Sequence, residues 1–244
     1  MSVVRCSSTD FAQALCDVII TIDGPAGSGK STTARRVAAQ LGYVYLDTGA
    51  MYRAVALGFL RANAAASPEG ADRVLPELDV DVSYRGDDME VFLDGEAVTD
   101  QLRTAEVGAI VSDISTLAPV RKYMVEEQRR IGYEQVEAHG GVVVDGRDTG
   151  TVVFPNADLK IFMVADVDER AHRRQKEYEA AGEDISFAEV RAEIEQRDRQ
   201  DRNRDIAPLR RAEDAIELDT TDRTIAEQVG FVVDHVKAQP SRGT

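Results

Sequence analysis

Residues 24–31 read Gly-Pro-Ala-Gly-Ser-Gly-Lys-Ser and match the phosphate-binding loop pattern G-x-x-x-x-G-K-[ST] at every position. An apolar run from Val18 to Ile22 precedes the loop and is typical of a buried parallel strand. Small and apolar residues at helical spacing follow it as far as Leu41. A strand, a glycine loop and a helix start in this order present backbone N–H groups and a positive helix end to a phosphate. The motif therefore predicts an α/β protein that binds a nucleoside triphosphate.

The phosphate loop also predicts the chemistry of individual residues. Lys30 is expected to reach the β- and γ-phosphates of the nucleotide, and the Ser31 hydroxyl is expected to bind Mg²⁺. Farther along, the apolar strand at 142–144 ends in Asp145, which is typical of the carboxylate that helps to place Mg²⁺ in phosphate-loop proteins. Ser31 and Asp145 are thus the predicted metal-site residues. The predicted residues that bind the phosphates of the nucleoside triphosphate are Gly24, Pro25, Ala26, Gly27, Ser28, Gly29, Lys30, Ser31 and Thr32.

A second phosphate site is predicted beside the first. The short strand at 43–46 ends in Asp47 and Thr48, which open a helix that carries Arg53 in its first turns. Ligands of parallel α/β sheets bind at the carboxyl ends of the strands, so these residues are expected to line the same crevice as the phosphate loop. Arg53 is a candidate anchor for a second phosphate. A surface arginine after a helix cap is the alternative interpretation.

The charge of the 244-residue chain limits its partners. Its net charge is −15, from 29 Lys and Arg against 44 Asp and Glu. A field of this sign disfavours polymeric nucleic acid but allows small phosphates where arginines are concentrated. No stretch approaches the roughly 18 apolar residues of a membrane helix, and no secretory signal is expected at the N-terminus. Cys6 and Cys16 lie in a leader before the first strand; we expect reduced thiols in a cytoplasmic protein, with a disulfide between them as the alternative.

Two further segments depart from the strand–helix alternation. Residues 79–98 alternate apolar and polar side chains and contain tight-turn residues, which predicts an antiparallel meander of two or three strands. Residues 168–204 are rich in arginine and largely helical, with Arg197, Asp201 and Arg204 expected on one helix face. A solvated face of ion pairs is the alternative for this charge run, but so many arginines in an acidic protein favour a mobile lid that binds an anion.

These parts, in this order, resemble the bacterial cytidylate (CMP/dCMP) kinases of the nucleoside-monophosphate (NMP) kinase family. The resemblance covers about residues 19–236, and the phosphate loop alone is shared by many ATPases. The other matching blocks include Leu46-Asp47-Thr48-Gly49-Ala50-Met51-Tyr52-Arg53, Leu102-Arg103-Thr104, Asp145-Gly146-Arg147-Asp148, and Arg197-Asp198 with Asp201-Arg202-Asn203-Arg204. The last two of these blocks and the β-meander insert are much more specific to this family than the phosphate loop. The implied fold is a phosphate-loop parallel sheet flanked by helices, with a small antiparallel β insert in the NMP-binding region and a helical lid.

The resemblance implies transfer of the γ-phosphoryl group of ATP to CMP or dCMP, with Mg²⁺ as cofactor. It implies that three arginines grip the CMP phosphate, that Ser112, Arg121 and Asp148 read the cytosine edge, and that two lid residues contact the sugar. Thr48 replaces the serine common in the family and keeps the hydroxyl. The implied CMP-binding residues are Thr48, Arg53, Ser112, Arg121, Arg147, Asp148, Arg197, Asp201 and Arg204; the implied catalytic residues are Lys30, Arg147 and Arg204.

The expected organisation is a leader at 1–16, a core at 17–47, 122–169 and 206–238, an NMP-binding region at 48–121, a lid at 170–205 and a disordered tail at 239–244. A monomer is expected. Two alternatives remain open: a phosphate-loop kinase for another acceptor such as UMP, and a non-kinase phosphate-loop NTPase module. The sequence does not decide the CMP-to-dCMP preference or the adenine contacts, for which Arg170, Arg173 and the loop after Asp219 are candidates.

Overall fold

The computed structural model describes residues 17–180 and 182–239 of the chain. The expectations for the leader, for Cys6 and Cys16, and for the tail beyond residue 239 lie outside these ranges. The central sheet has the order β2-β6-β1-β7-β8, and every neighbouring pair in it is parallel. The strands of the protein are β1 Val18–Asp23, β2 Val44–Asp47, β3 Val80–Arg85, β4 Asp88–Leu93, β5 Glu96–Ala97, β6 Gly141–Gly146, β7 Leu159–Val164 and β8 Ile216–Asp219.

Helices cover both faces of this sheet, as the apolar strands require. Alternate residues of β6 pack into different hydrophobic clusters: Val142 and Val144 into one, Val143 into the other. Each such fully buried aliphatic side chain contributes about 1.5–3 kcal/mol of burial free energy. The helices are α1 Lys30–Leu41, α2 Thr48–Arg61, α3 Pro68–Val74, α4 Ala105–Ile114, α5 Ala118–His139, α6 Val167–Ala180, α7 Phe187–Arg202 and α8 Ile225–Ala238.

The predicted meander is a separate three-stranded antiparallel sheet of β3, β4 and β5. The predicted fold class is therefore confirmed: a parallel sheet flanked by helices, with a small antiparallel sheet inserted between β2 and β6. Within the described residues, no helix combines the length and the apolar character that crossing a membrane requires.

Three local features differ from the sequence-based expectations. Residues 62–70 are small and polar, which predicts a linker, but they contain the start of α3. There the Ser67 side chain accepts a hydrogen bond from the Gly70 N–H, and Pro68 occupies the first turn. A single π-helical turn, Thr149–Val153, follows β6. Helix α7 ends at Arg202, so the prediction that Arg204 shares its helix face is wrong; Arg204 lies in the segment after the helix.

The arginine-rich segment forms a helical pair with a small core of its own. Helices α6 and α7 pack around Ala171, Val190 and Ile194. The buried Arg170 guanidinium on α6 donates two hydrogen bonds to the Asp198 carboxylate on α7, at 3.0 and 2.7 Å. The segment is therefore a packed unit, and its arginines are held on a defined scaffold.

Candidate active site

A cleft of about 640 Å³ opens at the carboxyl ends of β1, β2 and β6, between the phosphate loop and the helices α4 and α7. Ten of its lining residues are Lys or Arg and six are Asp or Glu, although the chain as a whole is strongly acidic. Positive groups are therefore concentrated where an anionic ligand would enter. The predicted residues that line it are Ala26, Gly27, Gly29, Lys30, Ser31, Thr32, Thr48, Arg53, Ser112, Arg121, Asp145, Arg147, Asp148, Arg197, Asp201 and Arg204.

The remaining predicted loop residues do not line the cleft but support the conformation of the loop; they are Gly24, Pro25 and Ser28. A Cβ atom on Gly24 would lie 2.3 Å from the Met163 carbonyl oxygen, so only glycine fits at that position. The buried Ser28 hydroxyl donates to the Pro25 carbonyl oxygen at 3.0 Å, which closes the loop on itself. These three residues define the loop's conformation, whereas its other members face the cleft.

The end of the loop suits an anion. Gly29 caps α1 with a left-handed φ of 91°, and among the described residues no side chain caps this helix and no acidic residue lies in its first turn. The N-terminal potential of α1 is therefore available to a phosphate. The Lys30 ammonium is buried and donates to the Pro25 carbonyl oxygen at 3.0 Å. Burial lowers the pKa of Lys30, Arg147 pushes it the same way, and Asp145 opposes both.

The two predicted metal-site residues are adjacent. The Ser31 hydroxyl donates to Asp145 Oδ2 at 2.6 Å, and the Tyr45 hydroxyl donates to Asp145 Oδ1 at 3.0 Å. Burial raises the pKa of Asp145, and the nearby Asp47 raises it further. A hydroxyl and a carboxylate at this distance are hard oxygen ligands of the kind that Mg²⁺ takes alongside water and nucleotide phosphates. The pair therefore fits a magnesium ion.

The predicted cytosine-reading residues meet on the far side of the cleft. Arg121 and Asp148 form a buried ion pair, and Arg121 Nη1 also donates to the Ser115 carbonyl oxygen at 3.3 Å. The Ser112 carbonyl oxygen in turn accepts from the Ser115 hydroxyl. Burial raises the pKa of Asp148 to about 6, although Arg121 opposes the shift. The guanidinium Nε of Arg121 is buried and has no hydrogen-bond partner within the described residues, so part of this pair remains available to a ligand.

The phosphate-gripping and sugar-contacting residues converge between these two sides. Arg147 Nε donates to Asp201 Oδ2 at 2.8 Å, and Arg204 forms an ion pair with the other oxygen of the same carboxylate. Burial opposes the effect, but Arg147 and Arg204 hold the pKa of Asp201 below its usual range. Burial lowers the pKa of Arg197 to about 10, and Arg147 adds to this shift. The side chain of Arg197 has no hydrogen bond or ion pair to any described residue.

Thr48 and Arg53 are held by the structure around them. The Thr48 hydroxyl donates to the Asp145 carbonyl oxygen at 2.6 Å, which ties the start of α2 to the end of β6. Arg53 is half-buried and donates to the Leu102 carbonyl oxygen at 3.3 Å. Burial lowers the pKa of Arg53, and Arg103 lowers it further because the two cations lie close together. An anion between them would relieve this repulsion.

Several cleft residues were not predicted as site residues. Tyr52 and Arg103 line the cleft. Both lie in the sequence blocks that match the family, so their place in those blocks could have identified them as site residues. Of the candidate adenine contacts, Arg170 is occupied by Asp198 and by the Ala26 carbonyl oxygen. Arg173 donates to the Thr220 carbonyl oxygen at 2.6 Å, beside the loop that follows β8.

Comparisons with known proteins agree with this geometry. The cytidylate kinase family model matches residues 20–238. A cytidylate kinase from Salinibacter ruber (strain DSM 13855 / M31) is 76% identical over 227 residues, which cover 93% of this chain and 100% of the relative. A cytidylate kinase from Geobacter sp. (strain M21) is 43% identical over 227 residues, 93% of this chain and 95% of the relative. In fold alone, the chain is similar to an uncharacterized protein from Eubacterium ventriosum ATCC 27560, with a TM-score of 0.50, 12% identity, and coverage of 91% of this chain and 99% of that one.

Proposed function

The chain belongs to the cytidylate kinase family and phosphorylates CMP or dCMP at the expense of ATP, and on this premise we propose which residues carry each part of the reaction. The observation that carries the assignment is the single cleft that contains both the phosphate loop and the buried Arg121–Asp148 pair. The first suits the donor triphosphate. The second suits a base with an exocyclic amino group.

The donor side consists of the phosphate loop, the start of α1 and Lys30. When ATP binds, the Lys30 ammonium contacts the β- and γ-phosphates, either in addition to the Pro25 carbonyl oxygen or in place of it. The negative phosphates favour the charged form of Lys30. Ser31 and Asp145 would hold Mg²⁺, which when bound would offset the negative charge of the phosphates. Because Tyr45 donates to the same carboxylate, it keeps Asp145 turned toward Ser31.

The acceptor side reads both ends of CMP. The Asp148 carboxylate accepts from the cytosine amino group, and the Arg121 guanidinium donates to ring nitrogen and oxygen acceptors. Ser112 contributes from α4. Arg53, Arg147 and Arg204 bind the CMP phosphate, while Arg197 and Asp201 contact the sugar. A uracil ring presents a carbonyl in place of the amino group and would leave Asp148 without a donor, which costs about 1–3 kcal/mol.

Transfer then requires positioning and charge stabilisation, with no covalent enzyme intermediate. An oxygen of the CMP phosphate attacks the γ-phosphorus in line, the bond to the β-phosphate oxygen breaks, and ADP leaves. Lys30, Arg147 and Arg204 offset the negative charge of the migrating group. Closure of a lid at 170–205 over an acceptor region at 48–121 excludes water, which would otherwise hydrolyse ATP. We further propose that the protein acts as a cytoplasmic monomer without nucleic-acid or membrane partners.

An acceptor panel tests this assignment. ADP release from Mg·ATP is measured with CMP, dCMP, UMP or AMP and with no acceptor. We expect turnover with CMP and dCMP at least tenfold above the others, because uracil lacks the amino group that donates to Asp148 and adenine lacks the ring carbonyl that accepts from Arg121. Equal turnover without an acceptor, or a preference for AMP, contradicts the assignment.

Removing the metal tests the Ser31–Asp145 site. Chelation with EDTA should abolish turnover, and added Mg²⁺ should restore it. Ser31→Ala should raise the Mg²⁺ concentration for half-maximal rate by about tenfold or more, because outer and inner ligands of metal sites typically contribute 10–100-fold in affinity. Ser31→Thr keeps the hydroxyl and should remain near the wild type. A Ser31→Ala enzyme with an unchanged Mg²⁺ requirement would exclude this residue as a ligand.

Acidic pH should weaken CMP use through Asp148. Since its pKa in the folded protein is about 6, protonation below that pH removes the acceptor for the cytosine amino group. KM for CMP should therefore rise as pH falls from 7 to 5. The raised pKa also means that this carboxyl contributes stability below its usual pKa of 3.8, and that this stability is lost as pH rises through about 6. A KM for CMP that stays flat from pH 7 to 5 would contradict a charged Asp148 in recognition.

A further inference from the structure

A buried carboxylate outside the cleft connects its two sides. Asp23 is the last residue of β1, directly before the phosphate loop, and its side chain is 4% exposed. The carboxylate accepts three hydrogen bonds: from the Thr149 N–H at 3.0 Å, the Thr149 hydroxyl at 2.8 Å and the Gly150 N–H at 2.7 Å. All three donors belong to the π-helical turn that follows β6. Asp23 does not line the cleft itself.

The segment that Asp23 holds carries the acceptor machinery. Thr149 directly follows Arg147 and Asp148, which are proposed to bind the CMP phosphate and the cytosine. In the sheet, Asp23 is paired in register with Gly146, one residue before Arg147. Three hydrogen bonds to two successive residues fix this turn against the start of the phosphate loop. The Asp23 carboxylate therefore fixes the distance between the phosphate loop and the segment that contains Arg147 and Asp148.

The backbone packs closely around this turn. A Cβ atom on Gly146 would lie 2.5 Å from Thr149 Cγ2 and 2.8 Å from Thr48 Oγ1. A Cβ atom on Gly150 would lie 2.8 Å from Thr21 Oγ1. The two glycines on either side of the Arg147–Asp148 pair therefore allow a close approach that larger residues would prevent. This close approach brings the Thr149 and Gly150 N–H groups to Asp23, whose carboxylate oxygens accept their hydrogen bonds.

We propose that Asp23 is a positioning residue, which holds the Arg147–Asp148 segment at the distance from the phosphate loop that in-line transfer requires. The inference rests on the proposed function, since it assigns CMP to that segment. In-line transfer is sensitive to such placement, because a misplacement of about 1 Å can cost about 10²-fold in rate. Asp23 acts through Thr149 and Gly150 and touches neither substrate.

The test compares Asp23→Asn with a matched control, a carboxylate before β7 that contacts the other end of β1. The amide has one acceptor oxygen and an NH₂ group that would face an N–H donor, so the turn must shift. With CMP, we expect kcat to fall about 10- to 100-fold, as for a shift of this kind, and KM to rise about threefold or more. The affinity for a non-hydrolysable ATP analogue, measured by calorimetry, should stay within about twofold. The control, Asp158→Asn, alters a carboxylate that accepts from the Ile19 N–H at 2.8 Å and should leave all three quantities near the wild type.

Substitutions of the partner residue keep the proposal testable if Asp23→Asn does not fold. Thr149→Val removes only the hydrogen bond from the Thr149 hydroxyl to Asp23, and kcat should fall by less than in Asp23→Asn. Thr149→Ser keeps a hydroxyl at this position, so its kcat should stay near the wild type. In the double variant with Asp23→Asn, the second change should add little, because both remove the same contact. Wild-type CMP kinetics in Asp23→Asn or in Thr149→Val would overturn the proposal, as would an equal loss of ATP-analogue affinity. Failure of the wild type to form CDP would instead overturn the proposed function, and the positioning role with it.

Discussion

Lys30→Met should lower kcat by about 10³-fold or more while the protein stays folded, because the ammonium offsets charge on the migrating phosphoryl group in a water-excluded site. Lys30 is buried at the end of the phosphate loop, and the one hydrogen bond of its ammonium to a described residue goes to the Pro25 carbonyl oxygen five residues earlier. Methionine fills the same space without the charge. Initial rates at saturating ATP and CMP give the effect on kcat, and circular dichroism confirms the fold.

The chain offers a matched control for the loss of a buried lysine. Lys160 is also buried, and it also donates to the carbonyl oxygen five residues earlier, that of Pro155, at 2.6 Å. Its ion-pair partner Asp214 is largely exposed, so water can solvate that carboxylate when the lysine is gone. Lys160→Met should therefore keep kcat within about threefold of the wild type, since it lies outside the cleft. Equal losses in both variants would show that Lys30 acts through stability alone.

Asp148→Asn should change which base the enzyme accepts. The carboxylate is the only acceptor that the pair with Arg121 offers to a cytosine amino group, whereas an asparagine amide can also donate to the carbonyl of uracil. We expect kcat/KM for CMP to fall about 10²-fold or more, because a buried charged hydrogen bond is lost and Arg121 is left without its counter-ion. The loss with UMP should be much smaller.

The ratio of kcat/KM for CMP to that for UMP provides the internal control for this substitution. Damage to folding or to the ATP site lowers both values equally and leaves the ratio unchanged. Loss of base recognition lowers the ratio, and we expect a decrease of at least about tenfold, which corresponds to one hydrogen bond of 1.4 kcal/mol or more. An unchanged ratio would contradict the role of Asp148 in reading cytosine and would move that role to Ser112 or Arg121.

The parts of the fold that follow from local patterns were predicted from the sequence. The apolar run from Val18 to Ile22 lies within β1, because a strand buried on both faces needs such a run. The start of α3 was missed, although Ser67 and Pro68 are a helix-start signal, because seven residues are too few for an apolar period to show. The end of α7 was missed because the charged segment lacks a regular pattern of apolar residues whose interruption would mark the end of the helix. Asn203 at the C-cap was the available signal.

The contacts that organise the site depend on the tertiary fold. Tyr45 and Asp145 are 100 positions apart, and Asp23 and Thr149 are 126 apart, so no local spacing relates them. Their meeting follows from the strand order, which places β6 between β2 and β1. The motif blocks predicted which side chains face the cleft. They did not predict that Asp201 accepts from Arg147 and Arg204 together, because Arg204 reaches it from beyond the helix.

Direct transfer from ATP to CMP is the central claim, and the fate of the γ-phosphoryl group tests it most directly. The protein is mixed with Mg²⁺, CMP and ATP labelled with ³²P in the γ-phosphate, and the products are separated over a single turnover. Direct transfer predicts that the label appears in the β-phosphate of CDP, in equal amount to the ADP formed, with none bound to protein. Label released as inorganic phosphate at the same rate with and without CMP would contradict it.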